Sequence, residues 1–241
     1  YWGDTTWPSG HPHEGEPIRL REHQVNAVNT FLDNPQCLQE IATSSGKTII
    51  TATLSKIVEK LGRSLIIVPN KSLVTQTEED YRNCGLDVGV YFGDRKELNK
   101  THTICTWQSL NILDKKNKNG EEALSLAQFL DGVHTVIVDE AHSLKADVLR
   151  KLLTQNIKNA PVRWGLTGTI PKEDFEKQSL IACIGPVVGK VSARELQDKG
   201  IISNCHINII QTRDVQVFKN YQEELKFLVT DDKRIEYMAK M

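Results

Sequence analysis

The chain has 241 residues, of which 39% are hydrophobic and 25% are charged, and this composition excludes a disordered or collagen-like protein. Thirty basic residues against thirty-one acidic ones leave a formal net charge of −1, so no overall charge attracts the chain to nucleic acid. Any such binding must come from a local patch. The densest basic run, residues 115–118 before Gly120, could be that patch, but an exposed, solvated loop is the simpler interpretation.

Neither membrane insertion nor secretion is predicted. The longest apolar runs, such as residues 65–68, stop far short of the roughly 20 residues that a membrane-spanning helix needs. Residues 1–17 are rich in glycine and proline and show no apolar period and no secretory signal, so we expect a tail and a cytoplasmic protein. Five widely spaced cysteines, an odd number, indicate neither a disulfide framework nor a zinc site.

From Ile18 onward, helical patterns alternate with short β-rich runs, which is typical of βαβ units and a parallel sheet. The predicted strands are residues 37–42, 64–68, 88–92, 103–106, 133–138, 162–166 and 206–211. The predicted helices are residues 22–32, 47–61, 71–82, 121–130, 145–154, 174–183, 193–199, 217–229 and 232–241. We therefore predict a doubly wound, mostly parallel α/β domain over residues 18–212 and a helical segment over 213–241.

A candidate phosphate-binding loop lies between the first of these strands and the helix that follows it. The loop consists of Thr43, Ser44, Ser45, Gly46, Lys47 and Thr48. In such a loop, backbone N–H groups and the helix N-terminus face the phosphates, Lys47 reaches the β- and γ-phosphates, and the Thr48 hydroxyl ligates magnesium. Ile41 stands where the full pattern requires its first glycine, so the loop alone is equally compatible with an ordinary helix start.

Two adjacent carboxylates, Asp139 and Glu140, follow the apolar residues 136–138 at the end of a predicted strand downstream of this loop. At the end of a strand, Asp139 can hold magnesium while Glu140 polarises the water that attacks the γ-phosphate. Alone, the pair would be explained as well by a solvated acidic turn. Because the loop and the acids occur together and in the right order, they predict a P-loop NTPase that uses ATP and Mg²⁺.

Six segments resemble the first RecA-like lobe of a superfamily 2 helicase, and the resemblance extends from about Ile18 to the C-terminus. The segments are residues 20–24, 42–48, 68–76, 106–110, 139–142 and 165–169. Residues 139–142 match the D-E-A-H box of that family. Residues 167–169 match its S/T-A-T-type motif, with Gly168 in place of the central alanine.

The resemblance implies a role for each segment. It implies that Gln24, upstream of the phosphate loop in sequence, reads adenine, that Lys47, Asp139 and Glu140 are catalytic, and that Thr48 and Asp139 hold magnesium. The residues implied in coupling nucleotide state to nucleic acid binding are His142, Thr167 and Thr169. The residues implied in contacts to nucleic acid are Pro69, Asn70, Lys71, Thr106, Trp107 and Ser109. For this last set, capping of a helix or packing in the core is an equally good explanation.

Within the superfamily, the chain resembles the bacteriophage UvsW-type recombination helicases. The shared features are a loop without leading glycines, the Thr-Trp-Gln at 106–108 and the Tyr-Gln-Glu-Glu run at 221–224. That family implies ATP-driven translocation on duplex or branched DNA, with branch migration, fork regression and R-loop removal as outputs. Single-stranded DNA and RNA in hybrids would also be bound, in the host cytoplasm if the protein is phage-encoded.

The resemblance also implies a second RecA-like lobe, which supplies the catalytic arginine through a glutamine-and-arginine-rich motif. No such motif occurs before Met241. We therefore expect this lobe to bind ATP with little turnover when it is alone, and we interpret residues 213–241 as a linker toward the second lobe. Residues 1–17 would be the tail or the remnant of an upstream DNA-binding domain.

Two other functions are compatible with the same residues. The motor segment of a restriction enzyme shares these boxes, and a nuclease cluster in neighbouring sequence would distinguish it. A nucleotide-switched DNA-binding or annealing module would not translocate at all. Strand displacement by the parent protein would exclude that second alternative.

Overall fold

The computed structural model describes residues 6–7, 18–120, 124–143, 150–204 and 216–240. The chain forms two compact units, Tyr1–Ser203 and Asn204–Met241. All six segments that resemble the helicase lobe belong to the first unit. The predicted boundary after Thr212 and the predicted strand 206–211 lie outside the described residues.

The first unit is built around one large sheet. The strands are β1 (Thr6–Trp7), β2 (Ile18–Arg19), β3 (Gln36–Ile41), β4 (Arg63–Val68), β5 (Val88–Phe92), β6 (Arg95–Lys96), β7 (His102–Thr106), β8 (Val133–Val138), β9 (Val162–Thr167) and β10 (Val187–Val191). β1 and β2 form an antiparallel pair, and the large sheet has the order β10-β3-β9-β8-β4-β7-β5-β6. Its described pairings are parallel except that of β5 with β6. The predicted mostly parallel α/β fold is confirmed.

Helices flank this sheet. They are α1 (Glu22–Asp33), α2 (Lys47–Val58), α3 (Lys71–Asn83), α4 (Trp107–Asn119), α5 (Leu126–Phe129), α6 (Asp174–Cys183) and α7 (Ala193–Asp198). Short 3-10 turns occur at Glu59–Leu61 and Ala141–Ser143, and a π-helical segment at Lys151–Asn156. Among the helices that the structure describes, none is long and apolar enough to cross a membrane.

Alternation along the strands places two apolar clusters on opposite faces of the sheet. In β4, Ile66 and Val68 belong to one cluster, whereas Leu65 and Ile67 belong to the other, because successive side chains of a strand point to opposite faces. Residues of α1, α2 and α3 complete the first cluster, and residues of α4, α5 and α6 complete the second. The sheet is therefore doubly wound, as predicted. The buried cysteines without a disulfide are Cys37, Cys84, Cys105 and Cys183.

The predicted strands that lie within the described residues are confirmed to within one residue at each end. β10 was not predicted, because Gly189 interrupts its valines and because it is an edge strand with exposed positions. Thr6–Trp7, within the predicted tail, pairs with Ile18–Arg19. A two-residue strand has no periodicity by which a sequence could reveal it.

The helices between β7 and β9 differ most from the prediction. Residues 115–118, expected in an exposed loop, form the last turns of α4, so that interpretation was wrong. Their charge does not prevent a helix, because Lys118 Nζ pairs with Asp114 one turn earlier, at 3.1 Å. The predicted helix 121–130 is reduced to α5, and residues 121–123 lie outside the described residues. Half of the predicted helix 145–154, residues 145–149, also lies outside them, and residues 151–154 belong to the π-helical segment.

The second unit contains α8 (Tyr221–Thr230) and α9 (Asp232–Ala239). Asn220 caps α8 and Asp231 caps α9, each by accepting a backbone N–H three residues ahead. No residue of either helix is buried. The predicted helical character of this part is confirmed.

Parallel strands bring their carboxyl ends to one edge of the sheet. The carboxyl ends of β3, β4, β7, β8 and β9, with the segments that follow them, place residues 42–46, 69–70, 106–109, 139–142 and 167–169 at this edge. Segments that are far apart in sequence therefore meet there, and this edge carries the candidate site.

Candidate nucleotide and nucleic-acid site

The candidate phosphate loop turns sharply between β3 and α2. Two of its residues have a positive φ, Ser44 at 65° and Gly46 at 83°. Gly46 immediately precedes α2, and its positive φ favours glycine there; a Cβ at this position would also displace the amide of Gln24. The first N–H groups of α2 have no partner within the helix, and such groups bind anions. The geometry is compatible with the predicted role in binding phosphate.

Lys47 and Glu140 form an ion pair across the site. Their side chains are 10% and 21% exposed, so solvent screens the pair only weakly. Glu140 has a positive φ of 48°, and its backbone N–H donates to Oδ1 of Asp139 at 2.9 Å. Burial raises the pKa of Asp139, and the charge of Lys47 opposes that rise. A lysine in this position can exchange a carboxylate for phosphate oxygens.

A chain of hydrogen bonds joins the acidic segment to the end of β9. His142 Nδ1 lies 2.7 Å from Thr167 Oγ1 and 3.4 Å from Glu140 Oε2. Thr167 Oγ1 donates to the carbonyl oxygen of Thr169 at 2.8 Å. The backbone N–H of Gly168 points at Glu140 Oε2 over 3.5 Å. The three residues predicted for coupling thus lie together with the carboxylate predicted as the base.

Gln24, which is predicted to read adenine, lies in the first turn of α1 and is 6% exposed. Its Oε1 accepts the backbone N–H of Arg21 at 2.8 Å, and its Nε2 donates to the carbonyl oxygen of Ser45 at 3.0 Å. A glutamine amide has two N–H groups and two acceptor lone pairs, so these contacts use half of its hydrogen-bonding capacity. The structure places Gln24 directly against the phosphate loop.

The segments predicted to contact nucleic acid begin α3 and α4. Asn70 caps α3 by accepting the backbone N–H of Leu73 at 3.0 Å. Thr106 caps α4 by accepting the backbone N–H of Ser109 at 3.3 Å, and the two hydroxyl oxygens lie 2.9 Å apart. The capping explanation therefore holds for Asn70 and Thr106, whose side chains order the two helix starts.

The remaining residues of that set differ in exposure. Lys71 is exposed, whereas Trp107 is partly buried and packs against the core cluster beneath α4. Gln108 Nε2 donates to the carbonyl oxygen of Pro69 at 3.2 Å, which joins the two segments. Together the segments form one polar strip on the same edge as the phosphate loop.

The residues at the loop fit a magnesium-bound nucleotide. Ser45 Oγ is buried and has no hydrogen-bond partner within the described part of the chain. Thr48 follows Lys47 in the first turn of α2 and is partly exposed. Its hydroxyl oxygen and the carboxylate of Asp139 are the kinds of ligand that Mg²⁺ takes.

Two contacts at the loop were not predicted. His23 Nε2 lies 2.9 Å from the carbonyl oxygen of Ser45, and its position beside Gln24 was the available signal. A Cβ at Gly168 would lie 3.3 Å from Thr43 Oγ1. The glycine that replaces the usual alanine therefore packs closely on the phosphate loop.

A family model described as type III restriction enzyme, res subunit, matches residues 17–172. The ATP-dependent DNA helicase uvsW of Enterobacteria phage T4 is 25% identical over 242 residues, covering 92% of this chain and 46% of that protein. The DNA 3'-5' translocase XPB2 of Sulfurisphaera tokodaii is 27% identical over 191 residues, covering 77% of this chain and 39% of that protein. The crystal structure of the UvsW helicase from bacteriophage T4 matches with a TM-score of 0.63 at 19% identity, covering 77% of this chain and 64% of that one.

The fold and the site define a RecA-like motor domain of the superfamily 2 helicase type. Because the family match covers more than half of the residues, the chain belongs to the family of the type III restriction enzyme res subunit. The superfamily prediction is thereby confirmed. The chain spans less than half the length of the two curated relatives.

Proposed function

We propose that this chain is the ATP-binding lobe of an ATP-dependent DNA helicase or translocase. The observation that carries the proposal is the network at the carboxyl edge of the sheet. There Lys47, from the phosphate loop, contacts Glu140, and Glu140 lies beside His142. His142 in turn contacts Thr167 on the neighbouring strand. Such a network links phosphate binding, hydrolysis and the end of a second strand.

The proposed roles follow from the side chains. Lys47 binds the β- and γ-phosphates, which draws it away from Glu140 and leaves that carboxylate able to accept a proton from the attacking water. Thr48 and Asp139 hold Mg²⁺, which neutralises charge on the phosphates. Gln24 binds adenine, and the backbone N–H groups of residues 43–46 wrap the phosphates.

DNA is the proposed partner, bound mainly through its phosphates along the strip that contains Asn70, Lys71 and Ser109. Sequence-independent contacts suit a motor that moves along its substrate. His142, with Thr167, would transmit the state of the nucleotide to that strip. The similarity to uvsW and XPB2 supports this assignment, since both relatives are named as DNA motors.

The finer assignment is to the DEAH-box, UvsW-type helicases that act on branched or duplex DNA. Branch migration, fork regression and R-loop unwinding are its proposed outputs. A second RecA-like lobe of the parent protein would supply the arginine that stabilises the transition state, and residues 213–241 would lead toward it. Without that lobe, ATP binds but turns over slowly.

The family description favours one alternative, the motor segment of a restriction enzyme. Both functions use the same site and the same hydrolysis. They differ in the neighbouring chain, because a restriction enzyme also carries a nuclease. DNA cleavage by the parent protein that requires ATP would decide for this alternative, whereas strand displacement without cleavage would decide against it.

The test is nucleotide binding and steady-state ATP hydrolysis by this chain, with and without branched DNA, beside a Lys47→Ala variant. Binding that this substitution abolishes, together with negligible turnover even on DNA, is the expected result. Robust DNA-stimulated turnover by the chain alone would overturn the proposal that it lacks the catalytic arginine. Unchanged binding by Lys47→Ala would overturn the nucleotide site itself.

A further inference from the structure

The carbonyl oxygen of Ser45 accepts from two neighbouring side chains. His23 Nε2 lies 2.9 Å from it and Gln24 Nε2 lies 3.0 Å from it, and both residues are 6% exposed. They come from the first turn of α1, about twenty positions before the loop in sequence. A single loop carbonyl is therefore held from outside the loop by two side chains on one helix.

The contact determines which nitrogen of the His23 ring carries a hydrogen. A carbonyl oxygen only accepts, so Nε2 of His23 must carry a hydrogen. In the neutral ring Nδ1 is then the unprotonated nitrogen, and it is buried without a hydrogen-bond partner in the described residues. The ring thus donates its single N–H to Ser45, whereas the amide of Gln24 has a second N–H available for other contacts.

The carbonyl that they hold follows the strained residue of the loop. Ser44, immediately before Ser45, has a positive φ of 65°, which is unfavourable for a serine, whereas the positive φ of Gly46 on the other side is allowed for glycine. Within the loop, the backbone N–H of Ser45 reaches the carbonyl oxygen of Ala42 only at 3.4 Å, a long hydrogen bond. The loop therefore depends on outside contacts to keep the shape that turns its N–H groups toward phosphate.

We propose that His23 is a positioning residue for the phosphate loop. It holds the Ser45 carbonyl and thereby keeps the loop in its phosphate-binding shape. Gln24 uses one part of its amide to contact the loop and the other to bind adenine. This inference rests on the proposed function, because it concerns the same nucleotide site. It assigns His23 no contact with the nucleotide itself.

The test compares two substitutions at this position by calorimetric titration of the chain with Mg-ADP. His23→Phe keeps a ring and removes the donor, and we expect binding to weaken about five- to tenfold, the effect of losing one hydrogen bond. His23→Gln restores an N–H at a similar reach and should recover affinity to within about threefold of the unmodified chain. A merely structural histidine would not show this recovery.

Val28→Ala is the matched control, because Val28 is fully buried on the same helix and belongs to the core cluster rather than to the site. It should lower the melting temperature and leave the affinity unchanged. If His23→Phe binds Mg-ADP as tightly as the unmodified chain while Lys47→Ala does not bind it, the inference about His23 is overturned and the nucleotide site is not. Failure of a folded His23→Gln to recover affinity would overturn the inference as well. If Lys47→Ala bound normally, the nucleotide site and this inference would fall together.

Discussion

The imidazole of His142 donates to the hydroxyl of Thr167, 2.7 Å away, and so connects the turn after β8 to the end of the neighbouring strand β9. The direction of the hydrogen bond follows from the bonds around it. Thr167 Oγ1 uses its only hydrogen on the carbonyl oxygen of Thr169, so toward His142 it can only accept. Nδ1 of His142 therefore carries a hydrogen, and the ring lies within 3.4 Å of Glu140.

Removing this link should uncouple hydrolysis from DNA. In a protein that carries this lobe together with the proposed second lobe, Thr167→Val keeps the shape of the side chain and deletes the acceptor. We expect the stimulation of ATP hydrolysis by DNA to fall about tenfold, an effect of about 1.4 kcal/mol, while nucleotide binding is retained. Thr135→Val is the control, since Thr135 is equally buried in β8 but lies away from the acids. Full stimulation in Thr167→Val would contradict the coupling role.

Substitutions at Glu140 and Lys47 should affect ATP turnover and nucleotide binding differently. Glu140→Gln removes the charge that pairs with Lys47, so Lys47 stays available for phosphate and nucleotide binding is retained or tightened. Turnover should fall at least about a hundredfold, because a neutral amide cannot accept the proton of the attacking water. Lys47→Ala should instead abolish binding. Titration with nucleotide and a steady-state hydrolysis assay measure the two quantities, and normal hydrolysis by Glu140→Gln would show that another group is the base.

Short-range patterns were enough to predict most of the fold. β8 was predicted to the residue, because three consecutive apolar residues, Val136 to Val138, lead directly into two acids. α4 was missed, since its polar sequence is stabilised partly by contacts that the sequence does not display. Asp114 on this helix accepts from Lys151, 37 positions later, at 2.5 Å. Two residues so far apart in sequence meet only in the folded chain, so their pairing could not be predicted from the local sequence.

The sequence was enough to predict which residues form the site, but not the backbone conformation that positions them. The order of the glycine-lysine loop and the acids indicated which side chains meet. The positive φ of Ser44 and of Glu140 has no signature in the sequence, because neither residue is a glycine. The contact of His23 with Ser45 also depends on how α1 lies against the loop. Local sequence therefore indicated which side chains meet, and tertiary packing supplied the geometry.

Gly185 should contribute strongly to the stability of the fold. It has a φ of 145°, and a Cβ at this position would overlap the carbonyl oxygen of Gln36, a backbone atom that cannot move without disturbing β3. We expect Gly185→Ala to lower the free energy of unfolding by about 3 kcal/mol or more. Gly85→Ala is the matched control, because Gly85 has a φ of 72° but open space around its Cβ position, and should cost about 1 kcal/mol. Urea denaturation measures both, and equal losses would show that backbone conformation alone, not the overlap, sets the cost.

Buried His102 should make the fold less stable as the pH falls below neutrality. Its ring is fully buried, with Nε2 at 3.1 Å from Glu59, and burial lowers its pKa while Glu59 offsets part of that shift. The unfolded chain therefore takes up a proton at a higher pH than the folded chain does. As the pH falls below about 6.5, the free energy of unfolding decreases. His102→Gln keeps a donor for Glu59 and does not titrate. Between pH 7.5 and 5.5 the unmodified chain should lose about 1 kcal/mol more stability than this variant in urea titrations. The same loss in both proteins would show that His102 is not the group responsible.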